Sequence, residues 1–201
     1  MRSPIFVEIA LITAVLLLGL GLHTRQTPST QTTIALQPCY VKGVEGKAQC
    51  GTLEVYENRD AKKGRKISLN VLVLTATGNE PSPDPLFYIP GGPGSSATED
   101  APGIARQFAK IRERRDLVFL DQRGTGNSHA LNCKFFDAND PQSYFGYFFP
   151  LEDVKRCREE LEKQADLTMY TTAIAMDDLD DVRAALGYQQ INVFGGSYGT
   201  R

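Results

Sequence analysis

The sequence predicts an α/β fold, a mostly parallel sheet with flanking helices, and three observations predict it. Short apolar runs alternate with amphipathic helical stripes, the pattern of parallel strands joined by crossovers. Three glycine-rich loops each follow one such run, as loops do at the carboxyl edge of an open parallel sheet. Composition is that of a soluble globular chain, 41% hydrophobic and 23% charged, and long enough for one substantial core. With a net charge of −2, nothing in the composition suggests a nucleic-acid-binding surface.

Residues 1-24 read as a signal peptide or N-terminal membrane anchor. Arg2 gives a small positive start, and residues 9–22 are apolar except for Thr13. That length suits a signal-peptide core and is short for a membrane span. Membrane anchoring through residues 5-22 is the alternative, although it encloses Glu8. The chain is thus expected to be exported, periplasmic or extracellular, with the anchor held open. Residues 25-38, rich in Thr, Gln, Ser and Pro, read as a linker, and residues 39-201 as the domain.

Four cysteines fit export. Of three possible connectivities, the local one is preferred, Cys39 with Cys50 and Cys133 with Cys157. Neither a Cys-x-x-Cys nor a histidine pair suggests a metal site.

Strands are expected at residues 52–56 and 67–74, antiparallel across the basic turn 62–66, then at 86–89, 116–120 and 191–194. Ile104, Phe108 and Ile111 mark a helix whose start suits Asp100 and Pro102. Val154, Cys157 and Leu161 mark a second, with Cys157 inward. Ala175, Leu179, Val182 and Leu186 mark a third, ending at Gly187. Its aspartates 177, 178, 180 and 181 read as a solvated face rather than a metal site. The aromatic segment 135–150 reads as a long connection packed on the core, with a flap near the site as the alternative.

The chemistry is carried by Gly195-Gly-Ser197-Tyr-Gly199, an apolar strand running into Gly-x-Ser-x-Gly. That pattern is a nucleophile elbow, a strained strand-to-helix turn that exposes a serine hydroxyl. Gly195 and Gly199 supply the small flanks it requires. Acyl transfer also needs N–H donors for a developing oxyanion. Tyr198 should give one amide and the Pro90-Gly-Gly-Pro-Gly94 loop the other, with Gly92 favoured and Gly91 open. No Gly-Lys-Ser/Thr follows that loop, which argues against a phosphate cradle. The third loop, Asp121-Gln-Arg123-Gly-x-Gly-x-Ser128, reads as structural support in which Arg123 bridges loops through its planar fork.

Together these three motifs resemble the proline iminopeptidase group of α/β-hydrolases, especially its exported tripeptidyl-aminopeptidase-like branch. The resemblance runs from Cys39 to Arg201, in order and approximate spacing. It implies Ser197 as nucleophile, oxyanion amides at Gly92 and Tyr198, release of short N-terminal peptide units, and no metal or organic cofactor. Pro90 stands where iminopeptidases proper usually carry histidine, which weakens any expectation of proline specificity. In this fold the acid and base follow the serine, and only residues 198–201 follow it here. The chain is therefore expected to be the N-terminal portion of the fold, truncated after the elbow and inactive alone. His129 precedes Ser197 and reads as a connecting-loop residue rather than the base. An esterase with small ester substrates on the same fold, or a non-catalytic binding remnant, are the alternative readings. Substrate specificity and oligomeric state are not legible.

Overall fold

A computed structural model describes residues 33–135, 139–147 and 149–201. The predicted leader, residues 1-24, lies outside the described residues, as does the linker up to residue 32. Among the described residues no helix is long and apolar enough to cross a membrane. The rest of the predicted linker is folded: Ile34 is buried in the core and Gln37–Cys39 forms β1. The reason is local, since Ile34 and Leu36 bring apolar surface that the Thr/Gln-rich stretch before them lacks.

Six strands form one sheet in the order β1-β2-β3-β5-β4-β6. The remaining strands are β2 (Ala48–Tyr56), β3 (Lys66–Leu74), β4 (Leu86–Ile89), β5 (Leu117–Leu120) and β6 (Asn192–Gly195). The hairpin β2–β3 is antiparallel in the register Val55↔Ile67 and Leu53↔Leu69, closed by the basic turn. β3 pairs antiparallel with β5, while β4 runs parallel to both β5 and β6.

Alternation along the strands divides the core between two faces. Leu69, Val71, Val73, Phe87 and Val118 face helix α4 (Thr172–Ala185) through Val182 and Ala185. Leu72, Leu74, Leu117 and Phe119 face helix α1 (Ala97–Gln107) through Ala97, Ala101 and Ala105. Each fully buried side chain of this size stabilises the fold by roughly 1.5–3 kcal/mol before entropy is subtracted. The disulfide Cys39–Cys50 ties β1 to β2, with Cα atoms 5.8 Å apart.

Helix α1 begins earlier than expected. Ser96 caps it by accepting from the Glu99 amide at 3.2 Å, the first half of a Ser-x-x-Glu capping box. Pro102 therefore lies inside the helix, not at its start. Phe108 ends it, and a single turn, α2 (Ala109–Arg112), follows.

Two expectations fail beyond β5. Helix α3 (Leu151–Glu162) buries none of its residues, and Val154 is exposed. Cys157 is oriented by its disulfide to Cys133 (Cα–Cα 5.9 Å), not by an apolar stripe. Tyr144, Phe145, Tyr147 and Phe149 are exposed, Tyr147 by 89%, so the aromatic segment is not core. Residues 136–138 and 148 of that segment lie outside the described residues.

Chain direction matters most at β4. From β4 the chain crosses to β5 on one side, and β6 lies on the other. The carboxyl end of β4 is thus a switch point, where open α/β sheets form a crevice.

Candidate active site

β6 ends at Gly195, and the chain turns immediately into a 3₁₀ turn, Ser197–Thr200. Ser197 occupies the left-handed region with φ 52°, and its residue is exposed. Such a conformation in a residue with a Cβ costs on the order of 1–3 kcal/mol and persists only when its surroundings enforce it. The surroundings here are backbone. A Cβ on Gly195 would overlap the Gly199 carbonyl, and one on Gly199 would lie 2.8 Å from the Pro90 oxygen and overlap that of Ile89. Both flanks must be glycine for the elbow to seat on the end of β4.

The Pro90–Gly94 loop meets the elbow from β4. A Cβ on Gly91 would stand 3.0 Å from the Ser197 Cβ and 3.6 Å from its Oγ. Gly92 follows with φ 110°, a conformation reserved for glycine, and folds towards the Gly94 and Ser95 amides. The structure thus places Ser197, Tyr198, Gly91 and Gly92 at one end of the sheet, with Gly91 in closest approach to the serine.

The third loop divides into two supports. Asp121 is fully buried at the end of β5 and accepts five hydrogen bonds. They come from Ser96 Oγ (2.8 Å), Thr98 N (3.0 Å), Thr98 Oγ1 (2.9 Å), Asn70 Nδ2 (3.0 Å) and Asn127 N (3.1 Å). Burial pushes the carboxyl up, but the bonds from Thr98, Asn70, Asn127 and Ser96 outweigh it and hold it below its ordinary value. Gly126 permits this, because a Cβ there would overlap the carboxylate. Since Ser96 and Thr98 directly follow the Gly-Pro-Gly loop, Asp121 anchors that loop's far root.

Arg123 makes the second support. Its fork grips Asp178 through Nε (2.6 Å) and Nη2 (2.8 Å), and Nη1 donates to the carbonyls of Glu57 (2.9 Å) and Met169 (2.8 Å). One side chain therefore joins the end of β2, the segment before α4 and α4 itself. Arg59 also reaches Asp178, at 2.8 Å. Tyr170 lies beneath the guanidinium and donates its hydroxyl to Glu57 at 2.9 Å. Burial and that carboxylate raise the Tyr170 phenol, which stays a protonated donor.

Asp178 corrects the expected solvated face of α4, for it is completely buried. A signal was present in the sequence: residues 175, 178, 182 and 185 fall at i, i+3, i+7 and i+10, one side of a helix. Reading the four aspartates as one acidic run obscured it. Among the described residues no group of acidic, histidine or cysteine side chains is arranged to hold a metal.

A cleft of about 190 Å³ opens beside the elbow, lined by Gly91, Gly124, Leu131, Tyr170, Thr172 and Tyr198 among others. His129 lies outside that lining. Its Nε2 stands 3.3 Å from the Gln164 carbonyl and its ring stacks on Tyr170. An exposed serine on a strained turn, against glycine backbone and a small cleft, is an arrangement suited to attack on a carbonyl.

Residues 84–201 match the family model of the alpha/beta hydrolase fold. The chain is 35% identical over 172 residues to "Serine protease Hip1" of Mycobacterium tuberculosis, covering 79% of this chain and 32% of the relative. It is 30% identical over 173 residues to "Tripeptidyl aminopeptidase" of Streptomyces lividans, covering 76% and 31%. The crystal structure of a Mycobacterium smegmatis proline iminopeptidase aligns with TM-score 0.45 at 22% identity, over 74% of this chain and 36% of that one. The chain spans about a third of the length of the curated relatives it matches.

Proposed function

The chain belongs to the alpha/beta hydrolase fold family, and from that premise we propose that it forms the nucleophile-bearing part of an exported serine peptidase. The reaction is release of short N-terminal peptide units through an acyl-enzyme. Ser197 Oγ attacks the peptide carbonyl, and the amides of Tyr198 and Gly92 receive the oxyanion. The proton of Ser197 passes to a histidine held by an acidic residue, both supplied by sequence following the elbow, as the chain order of this fold requires, and that histidine gives it to the departing amine as the C–N bond breaks. Water then resolves the ester. No metal or organic cofactor takes part.

One observation carries this reading: Ser197 stands exposed at positive φ, enforced by Gly195 and Gly199, with Gly91 backbone against its side chain. Lys62 and His129 also adopt positive φ, so it is the combination with exposure and with glycine backbone packed around the serine that supports the reading. Peptide rather than ester substrates are favoured by the two peptidase relatives. Export is supported by the pairing of all four cysteines as disulfides and by the apolar N-terminal sequence. The test is labelling of the full-length protein with a serine-directed phosphonate. Ser197→Ala should abolish both labelling and peptide turnover. Labelling that persists at another residue refutes the assignment.

A further inference from the structure

The elbow's own hydrogen bonds are nearly all local. Gly199 N donates to Gly196 O (2.9 Å), Arg201 N to Tyr198 O (3.1 Å) and Thr200 Oγ1 to Ser197 O (2.7 Å). Its backbone tie to β4, Gly196 N to Ile89 O, is long at 3.4 Å. The short tie to another element is a side-chain one: the hydroxyls of Tyr198 and Thr172 lie 2.9 Å apart. This hydroxyl pair ties the residue that carries the proposed oxyanion amide to the start of α4.

Thr172 is a fixed point for it. It opens α4, whose first turn is capped by Thr171 Oγ1 accepting from Ile174 N. Arg123 grips the Met169 carbonyl three residues before it and the Asp178 carboxylate six residues after it. Both sides of Thr172 are thus clamped by one buried guanidinium. We infer that Thr172, held by Arg123, is a positioning residue that aims the Tyr198 amide at the oxyanion through the Tyr198 hydroxyl. This deepens the reading of Ser197 and Tyr198 as nucleophile and oxyanion donor, and rests on it. A donor that drifts from its target loses value in the transition state more than in the ground state, where the carbonyl carries less charge.

The test compares Tyr198→Phe, Thr172→Val and the double variant in the full-length protein, on a peptide anilide substrate. Each single variant should lower kcat about tenfold with KM changed less than about twofold, in line with the cost of slight misplacement. The double variant should be no worse than either single one, since both remove the same bond. Thr172→Ser, which keeps the hydroxyl, should restore kcat to within about twofold of the parent, the shared hydrogen bond being regained. Wild-type kcat in either single variant, an effect confined to KM, additive losses, or failure of Thr172→Ser to rescue would each overturn the inference. Ser197→Ala runs alongside. If it is dead while Tyr198→Phe matches the parent, only the positioning role falls. If it retains turnover, the nucleophile assignment falls and the positioning role with it.

Discussion

At the scale of single residues, Asp121 concentrates more of the site's order than its position in the sequence suggests. Every contact it makes is one it can accept, from two hydroxyls, two amides and the Asn70 side chain. An asparagine there would set an NH₂ against either the Thr98 amide or the pair from Asn70 and Asn127. We expect Asp121→Asn to lower unfolding free energy by about 1–3 kcal/mol near neutrality, the cost of a buried donor left unpaired. The pH dependence follows from the sign of its shift. The native carboxyl titrates below its unfolded value, so its contribution is full above the unfolded pKa and is lost as pH falls through the native one. Urea unfolding of the parent should weaken from about pH 5 downward through this group, and the Asn variant should lack that part of the acid limb. An acid limb identical in both proteins would show that Asp121 titrates alike in the folded and unfolded states.

At the scale of elements, the strands, the glycine loops and the extent of helix α4 were legible and the buried Asp178 on that helix was not, for one physical reason. A strand buried on both faces must be apolar along its whole length, and 117–120 and 86–89 show this plainly. Ser197 and its flanking glycines were legible because backbone overlap leaves few residue choices. A buried ion pair leaves no such trace, since each partner looks like an ordinary surface residue until the two are brought together. Asp121 and Arg123 stand two residues apart in one loop, yet the structure sends the two side chains apart, Asp121 to α1 and Arg123 to α4. The exposed aromatics Tyr144, Phe145, Tyr147 and Phe149 depart in the opposite direction, because apolar composition alone does not say what covers it. The Arg123–Asp178 pair gives this scale its prediction. Both groups are about 1% exposed; removing Asp178 strands the Arg123 charge, whereas removing Arg123 leaves Asp178 paired with Arg59 alone. Asp178→Asn should cost about 3–5 kcal/mol, and Arg123→Met should cost less. Arg123→Met combined with Asp178→Asn should cost less than the sum of the two single changes by about 0.5 kcal/mol or more, measured by denaturant unfolding in a double-mutant cycle. Strict additivity would mean the two do not act as a unit.

At the scale of the whole molecule, the two edges of the described sheet differ. β1 closes the first edge with three residues and a disulfide, a short strand of the kind that discourages further pairing. β6, at the other edge, bonds only to β4 among the described strands, and Val193 on it is 53% exposed. Apolar surface beside a free row of backbone donors and acceptors is a template for pairing with another chain. These 201 residues expressed alone should therefore self-associate, giving light-scattering masses above the monomer at micromolar concentration. Val193→Lys should shift the distribution towards monomer by placing a charge at the contact. Neither polypeptide should turn over a peptide anilide, because His129 lies outside the cleft's lining with its Nε2 at the Gln164 carbonyl. A monomer that cleaves peptides would place both a base and a closed sheet within these residues, and would remove the need for any segment after the elbow.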